Sequence, residues 1–492
     1  MAEWLQKAWQ LGLSQAMAQL TEPYWESRLV WPHPPLFRFL ALLSRTLLPG
    51  MGFPTAERFP TMLTFAFGCT AIFLALRRRG WAAGLVGAAA LATMPRFLAY
   101  SGFCTPDMPE AVAWIAITLC YERYESTRRR AWLLATAGLF CFAMGSKISA
   151  LTLIPALGCV MLALRFKKGW RDLLNGGINL ALVLAAGLAA MVLVYPYLWP
   201  APFSRMGTLL SVARTWSQFL PFSVLFFGQV KHYTELPWYF VPTMLGLVTP
   251  PLTLGLALLG LFWARTRDAL WMSGAVVFAF WCALLLLPNT PKYDNDRQLL
   301  ALFPFLALFA GMAAQDGIDR LSARVSERMR RWLKPGLAPL LIVAMAVEWW
   351  GAQPDPLSYY TPVVGGLVGA ARLGFDVTYG LEVLSPSVLA SFEQRLPEGA
   401  TMTLLPAPDF ADFLQQRGYI RRDIRIAHSG GPYFLFVNRH GATPERAQAR
   451  MHGQRLSAYR HDRVPLAELW YLPTQRPAET APAPADLGQL PF

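Results

Sequence analysis

Long apolar stretches separated by short charged ones set the plan of this chain. The runs near 59–76, 176–195, 238–264, 269–288 and 298–315 contain no internal charge. A helix rises about 1.5 Å per residue, so each run is long enough for a hydrocarbon core that takes about 20 residues to cross. Residues 80–98 make another such run, and 107–121 a shorter one that opens with Asp107 and Glu110. The stretch 131–164 is too long for one crossing and holds a single charge, Lys147, in its middle, which predicts two helices joined at Gly145-Ser146-Lys147. A last run lies near 335–350, so the pattern predicts about ten spans from residue 59 onward.

The basic residues orient these spans. Arg77-Arg78-Arg79, Arg128-Arg129-Arg130, the Arg165/Lys167/Lys168/Arg171 group, Arg265/Arg267 and the run from Arg320 to Lys334 follow alternate spans. All fall on one side, the cytoplasm by the positive-inside rule. The loops 99–107, 196–237 and 288–297 and the hinge at Lys147 then face outward.

Both ends of the chain differ from the middle. Residues 1–58 contain no stretch long enough to span, and Trp4, Leu5, Trp9 and Leu13 share one helical face, the pattern of an interfacial amphipathic helix. Because the orientation puts this segment outside, a first span is expected before Met1 and missing from the chain. After Trp350, Pro- and Gly-rich joints separate candidate strands at Thr401–Leu405, Ile424–Ala427, Tyr433–Asn438 and Leu469–Leu472 from a helix at Asp409–Gln416. The expected organisation is therefore an external segment 1–58, a transmembrane domain 59–350, an extracytoplasmic α/β domain 351–473 and a disordered Pro/Ala-rich tail 474–492. The fold class is mostly α: a polytopic membrane helical bundle with a small C-terminal α/β domain.

Composition agrees and narrows the function classes. Hydrophobic residues make up 54% of the 492 and charged ones 15%, against about 25% charged in soluble domains. Mean hydropathy is +0.34, which excludes a soluble enzyme or a disordered chain. The net charge of +14 sits in the loop clusters, an orientation signal, so nucleic acid is not expected as a partner. The six cysteines form no CxxC pair and lie in or beside apolar runs. They predict neither a disulfide framework nor a metal site.

Unusual polar residues gather in the outward loops: Trp31-Pro32-His33-Pro34-Pro35-Leu36, Thr105-Pro106-Asp107-Met108-Pro109-Glu110, Lys147, His232 to Tyr239, and Lys292-Tyr293-Asp294-Asn295-Asp296-Arg297. Ionisable groups at membrane depth are costly and mark functional sites by default. Singly, Asp107 reads equally well as a helix cap, Lys147 as a snorkelling anchor, and Trp238 and Tyr239 as interfacial belt residues. Five such groups on one face favour a shared cavity. Lys147, Lys292 and Arg297 are the cations available to hold a phosphate, with Tyr293 in support. Asp107 and Glu110 are the carboxylates, and His232, Trp238 and Tyr239 are candidate cavity residues.

The ordered set His-Pro-Pro-Leu, Arg58-Phe59-Pro60, Asp107-Met108-Pro109, Gly145-Ser146-Lys147, Leu236-Pro237-Trp238-Tyr239-Phe240 and Lys292-Tyr293-Asp294 with Arg297 resembles the GT-C membrane glycosyltransferases. More narrowly it is similar to the dolichyl-phosphate-mannose protein mannosyltransferase (family 39) and aminoarabinose-transferase-like group. The resemblance covers roughly residues 22–380 and includes Leu357-Ser358-Tyr359-Tyr360. It implies an inverting enzyme of the inner membrane that moves a sugar from a polyprenyl-phosphate-linked donor to a protein, lipid or glycan acceptor on the outer face. It also implies a carboxylate base in the first external loop. This chain begins about where that loop would end, so the main base is expected upstream of Met1. Asp107, Glu110 and His33 are then the catalytic candidates within the chain. No cofactor is certain, and a divalent metal is possible but no motif indicates one. The alternatives are an inactive or truncated paralogue of the same fold and, from another class, a transporter. Transporters tend to show repeats and broken midplane helices, and no repeat is visible here.

Overall fold

The computed structural model describes Gln15 and residues 33–219, 223–287, 290, 292, 294–439 and 444–473. The interfacial helix expected at Met1–Leu20 (Gln15 apart), Tyr293 and the tail from residue 474 lie outside them. The chain divides into two units, one formed by residues 1–222 and 232–356, the other by 223–231 and 357–492.

The first unit is a helical bundle. Among the described residues six helices are long and apolar enough to cross a membrane, or seven if a bent pair counts as one span. They include Thr55–Leu76, Trp170–Val194, Ala269–Leu286 and Glu327–Gly351. This count is compatible with the ten expected spans, because several of the expected runs are broken or form shorter apolar helices. The 80–98 run is broken, its helices Trp81–Ala92 and Pro95–Ser101 bending by 71°, because Pro95 lacks an N–H and disfavours helix in the residue before it. The 238–264 run breaks at Pro250 into Phe240–Val248 and Pro251–Phe262. The 131–164 stretch divides at Lys147 as expected, into Arg130–Ser146 and, after a 3-10 turn, Leu153–Arg165. The Asp107–Thr127 helix has the length of a span, about 30 Å at 1.5 Å per residue, but carries charges at both ends.

Burial separates the centre of the bundle from its lipid-facing rim. Of the apolar stretch within Arg297–Arg324, 89% is buried, against 12% within Glu327–Gly351. Leu134, Leu182, Leu193 and Val347 stay exposed, as expected of apolar side chains that face hydrocarbon. The Phe303–Arg324 helix packs against Trp81–Ala92 and Pro251–Phe262. Contact with the latter is backbone to backbone: a Cβ on Gly260 would lie 2.0 Å from the Phe309 carbonyl oxygen. Small residues permit such close approach where lipid supplies no hydrophobic drive between helices. At the ends bearing the basic loops, Arg165 is fully buried and clasps Glu125 through Nε at 2.8 Å and Nη2 at 2.6 Å.

The second unit is built on a five-stranded sheet in the order β4-β3-β5-β7-β6, where β3 is Thr401–Leu405, β4 Arg425–Ile426, β5 Tyr433–Val437, β6 Gln454–His461 and β7 Val464–Tyr471. The pairs β3/β4 and β3/β5 are parallel, with Met402 opposite Tyr433, while β5/β7 and β6/β7 are antiparallel. Phe434, Phe436, Ala449 and Leu472 form one buried apolar cluster of this unit. The sequence pattern contains β3, β4 and β5 but shortens β7 and misses β6. A hairpin of β1 (Ser223–Phe226) and β2 (Gln229–His232) turns at Phe227 and Gly228, both with positive φ. Gly228 donates to the Gly374 carbonyl at 2.9 Å, and a Cβ on Gly374 would sit 2.1 Å from the Gly228 nitrogen.

Gly260→Ala is expected to force the Pro251–Phe262 helix off its neighbour and lower the melting temperature of the detergent-solubilised protein by several degrees. Gly255→Ala, with nothing within 4 Å of its Cβ, should leave it unchanged or raise it slightly, since alanine gains about 0.5–1 kcal/mol over glycine in a helix. Equal effects would contradict the contact.

Candidate functional site

Three helix ends carry the site. The Asp107–Thr127 helix begins with Asp107 and Glu110 in its first turn, the Arg130–Ser146 helix ends at Lys147, and a 3-10 turn starting at Arg297 leads into the central helix. Asp107 does not cap its helix: Pro106 holds the N-cap position, with no side-chain cap. Its carboxylate meets two cations instead. Lys147 Nζ lies 2.9 Å from Oδ1, and Arg297 reaches Oδ2 through Nη2 at 2.9 Å and Nε at 3.0 Å.

The network extends on both sides of Asp107. Lys147 Nζ also donates to Glu110 Oε2 at 2.6 Å, and the Ser149 hydroxyl donates to Glu110 Oε1. Arg297 Nη1 donates to Asp294 Oδ2 at 2.9 Å. Asp107, Glu110 and Lys147 are buried, and the Arg297 side chain is 31% exposed. Burial alone would lower the Lys147 pKa, but Asp107 and then Glu110 hold it above its ordinary value. The group therefore stays charged, and with small neighbours Gly145 and Ser146 it is neither a free nor a snorkelling lysine.

The Arg297 loop is fixed from behind. Asp294 and Asn295 both adopt positive φ, 54° and 53°, a conformation these residue types tolerate better than most. Asp296 then turns inward to Arg96, 2.7 Å away, with both side chains fully buried. Arg96 and Ser149 join this candidate site without having been selected from the sequence, and Asp294 and Asp296, part of the polar loop noted there, had been given no role. A charge inside the apolar run 80–98 was the available signal for Arg96, whereas Ser149 offered none.

The other expected site residues behave differently. Lys292 is buried but donates locally, to the Leu287 carbonyl at 3.2 Å. His232 serves its own turn, its Nδ1 lying 2.7 Å from Thr234 Oγ1 and its backbone N–H 3.3 Å from Glu235 Oε2. Trp238 and Tyr239 pack edge to face and remain exposed. Tyr293 is outside the described residues. Among the described residues no three His, Cys, Asp or Glu side chains group so as to hold a metal ion.

His33 senses the network electrostatically. Its Nδ1 is buried without a hydrogen-bond partner among the described residues. Burial first, and then the Lys147 charge, push its pKa from 6.5 down to about 3, against a smaller opposite pull from Asp107. The neutral imidazole is thus the folded form. Unfolded chains bind this proton below about pH 6.5 and the folded one does not, so stability is full above that pH and falls as pH drops toward 3. His33→Gln, which cannot be protonated, is expected to flatten the fall in melting temperature between pH 6.5 and 4.5. A pH profile identical to that of the wild type would contradict the assignment.

Residues 32–199 match the family model described as dolichyl-phosphate-mannose-protein mannosyltransferase. No curated protein matches the chain in sequence. Among solved structures, ArnT from Cupriavidus metallidurans in the apo state is 14% identical, covering 89% of this chain and 87% of that one with a TM-score of 0.47. The same enzyme bound to undecaprenyl phosphate gives 0.45 at the same identity and coverage. The Archaeoglobus fulgidus oligosaccharyltransferase, in complex with Zn and sulfate, is 12% identical over 82% of this chain and 59% of that one, with a TM-score of 0.39. Over the segment that holds His33, Asp107, Glu110 and Lys147, the chain is thus similar to the dolichyl-phosphate-mannose-protein mannosyltransferase family, a group of GT-C membrane glycosyltransferases.

Proposed function

We propose that this protein is an inverting glycosyltransferase of the inner membrane that moves a sugar from a polyprenyl-phosphate-linked donor to an acceptor on the extracytoplasmic face. The observation that carries the reading is the pairing of Lys147 and Arg297 across Asp107, with two of the three residues inside the segment that matches the mannosyltransferase family. The family's own description names a polyprenyl-type phosphate sugar as donor. Five basic clusters on the opposite ends of the spans support an external site.

The chemistry follows from charge. A sugar leaving phosphate builds negative charge on the phosphate oxygens, and preorganised cations stabilise that charge most in a water-poor site. Lys147 and Arg297 are such cations. Asp107 holds both in place between turnovers, which makes it a positioning residue. Arg297, the most exposed of the four, offers its guanidinium fork to two phosphate oxygens. The acceptor hydroxyl must lose a proton as it attacks the anomeric carbon from the face opposite the phosphate. Glu110 meets one cation where Asp107 meets two, so the proton is assigned to Glu110. Neutral His33 accepts a hydrogen bond through Nδ1 and orients the acceptor. A single displacement of this kind inverts the anomeric configuration.

The test is sugar release to acceptor or water from a panel of polyprenyl-phosphate-linked sugars, with donor binding measured separately in nanodiscs. Lys147→Ala and Arg297→Ala should each reduce turnover more than about tenfold, the loss expected when one charged donor is withdrawn from a developing anion. Arg297→Lys should recover part of it, because a point charge replaces the fork. Asp107→Asn should lose turnover with normal expression. Wild-type donor affinity and turnover in all of these variants would overturn the reading.

A further inference from the structure

At the end of the bundle that bears the basic loops, a groove of about 450 Å³ runs between the Thr55–Leu76 and Asp107–Thr127 helices and is flanked by Trp132. It takes no part in the transfer chemistry described above. Arg123, in its lining, follows Asp107 by 16 residues on one helix, about 24 Å along the axis.

Two helical faces build the groove. Phe67, Ala71 and Leu74 recur at helical spacing on the first helix, and Ala116, Leu119 and Arg123 on the second, so each set shares a face. The small side chains of Ala71, Ala75 and Ala116 leave the space, while Phe67, Leu74 and Trp132 wall it. Phe67 and Leu74 are exposed, so the groove opens on the surface that meets hydrocarbon. The Thr70 hydroxyl donates within its own helix, to the Ala66 carbonyl at 2.9 Å. This part of the lining suits a hydrocarbon chain.

The end of the groove is opposite in character. Arg77 and Arg78 directly follow the first helix, and Arg123 lies one turn beyond Leu119 on the second. Arg78 is committed: it donates to the Ala75 carbonyl at 2.9 Å and pairs with Glu122 at 3.2 Å. The Arg123 guanidinium lies 5.9 Å from the centre of the Trp132 ring, which sets it against the groove wall. Arg77 is exposed. Among the described residues no carboxylate pairs with Arg77 or Arg123. Each therefore has its planar fork available for two phosphate oxygens. An apolar slot that ends in cations matches one class of molecule in a bilayer, an acyl chain joined to a phosphate, and basic pockets between transmembrane helices bind such headgroups.

We infer that this groove seats an anionic phospholipid of the surrounding bilayer. An acyl chain lies along Phe67, Ala71 and Leu74, and Arg77 and Arg123 hold the phosphodiester headgroup. The lipid bridges two helices, the second of which carries Asp107 and Glu110 at its far end.

The test uses the full chain purified in a neutral detergent and titrated with phosphatidylglycerol or with phosphatidylcholine of the same acyl chains. Bound lipid is counted by native mass spectrometry and the melting temperature is followed in parallel. Phosphatidylglycerol should be retained as one copy under conditions that strip phosphatidylcholine. It should also raise the melting temperature, since a ligand that binds only the folded form stabilises it. Arg77→Ala and Arg123→Ala should each weaken its binding about fivefold, the weight of one basic residue at an anionic lipid surface. Ala71→Trp should weaken it with every charge retained. Arg129→Ala removes the same charge from the same end of the bundle but outside the groove lining, and should have no effect. Melting temperatures in phosphatidylcholine alone should match the wild type, which verifies that the variants fold. Equal retention of the two lipids, an equal loss in Arg129→Ala, or phosphatidylglycerol binding undiminished in both Arg77→Ala and Arg123→Ala would overturn the inference. So would binding of a polyprenyl phosphate in place of phosphatidylglycerol. No sugar transfer enters these measurements, so this site and the proposed reaction stand or fall separately.

Discussion

Charges placed at the end of an apolar bundle must neutralise one another, and this requirement organises the first unit. Removing an ion from water costs several kcal/mol even after relaxation, so Asp107, Glu110 and Lys147, all buried, are stable as ions only together. Asp107 does most to connect them. It joins residues 40 and 190 positions away in the chain through Lys147 and Arg297. The break in the helix at Lys147, the left-handed turn at Asp294-Asn295 and the inward Asp296–Arg96 pair all serve to deliver these charges to one point. The opposite ends of the bundle repeat the device with Arg165 and Glu125, where Glu125 also meets the part-exposed Arg128 at 3.2 Å.

The Asp107 network is incompletely sealed. Its outer cation, Arg297, keeps about a third of its side chain in contact with the outside. A network of alternating charge can exchange one anion for another at modest cost, because each cation is already desolvated and oriented. A donor phosphate entering beside Asp107 would replace water at Arg297 and share Lys147 with the carboxylates. In the proposed reaction Asp107 holds the cations ready and Glu110 takes the acceptor's proton.

Much of this was legible in the chain, for physical reasons that differ by residue. Span positions followed from apolar length, and the hinge at Lys147 from a single charge in a 34-residue apolar stretch. Asp107, Glu110, Lys147 and Arg297 stood out because charge at membrane depth needs a reason. Their mutual pairing did not, since nothing local links positions so far apart. Lys147 and Arg297, the cations expected to cradle a phosphate, both pair with Asp107, and Lys292 donates to the Leu287 carbonyl. Proline positions decided the broken spans at 95 and 250, where composition alone counted continuous helices. His232, Trp238 and Tyr239 were selected as unusual polar or aromatic residues in an outward loop. The described contacts give His232 a turn to stabilise and leave the two aromatic residues at the surface. In the second unit β6 was missed because its alternation is polar on most positions, with no inward-facing apolar series to reveal it.

The most direct test of where the donor is held is photolabelling. A polyprenyl-phosphate-linked sugar carrying a diazirine on the sugar would be bound to the protein in nanodiscs, illuminated, and the modified peptides mapped by mass spectrometry. Labelling of peptides containing Asp107 to Glu110, Lys147 to Ser149 or Asp294 to Arg297, competed away by unmodified donor, is the result this account predicts. Competable labelling confined to the basic run from Arg320 to Lys334, at the other end of the central helix, would contradict it.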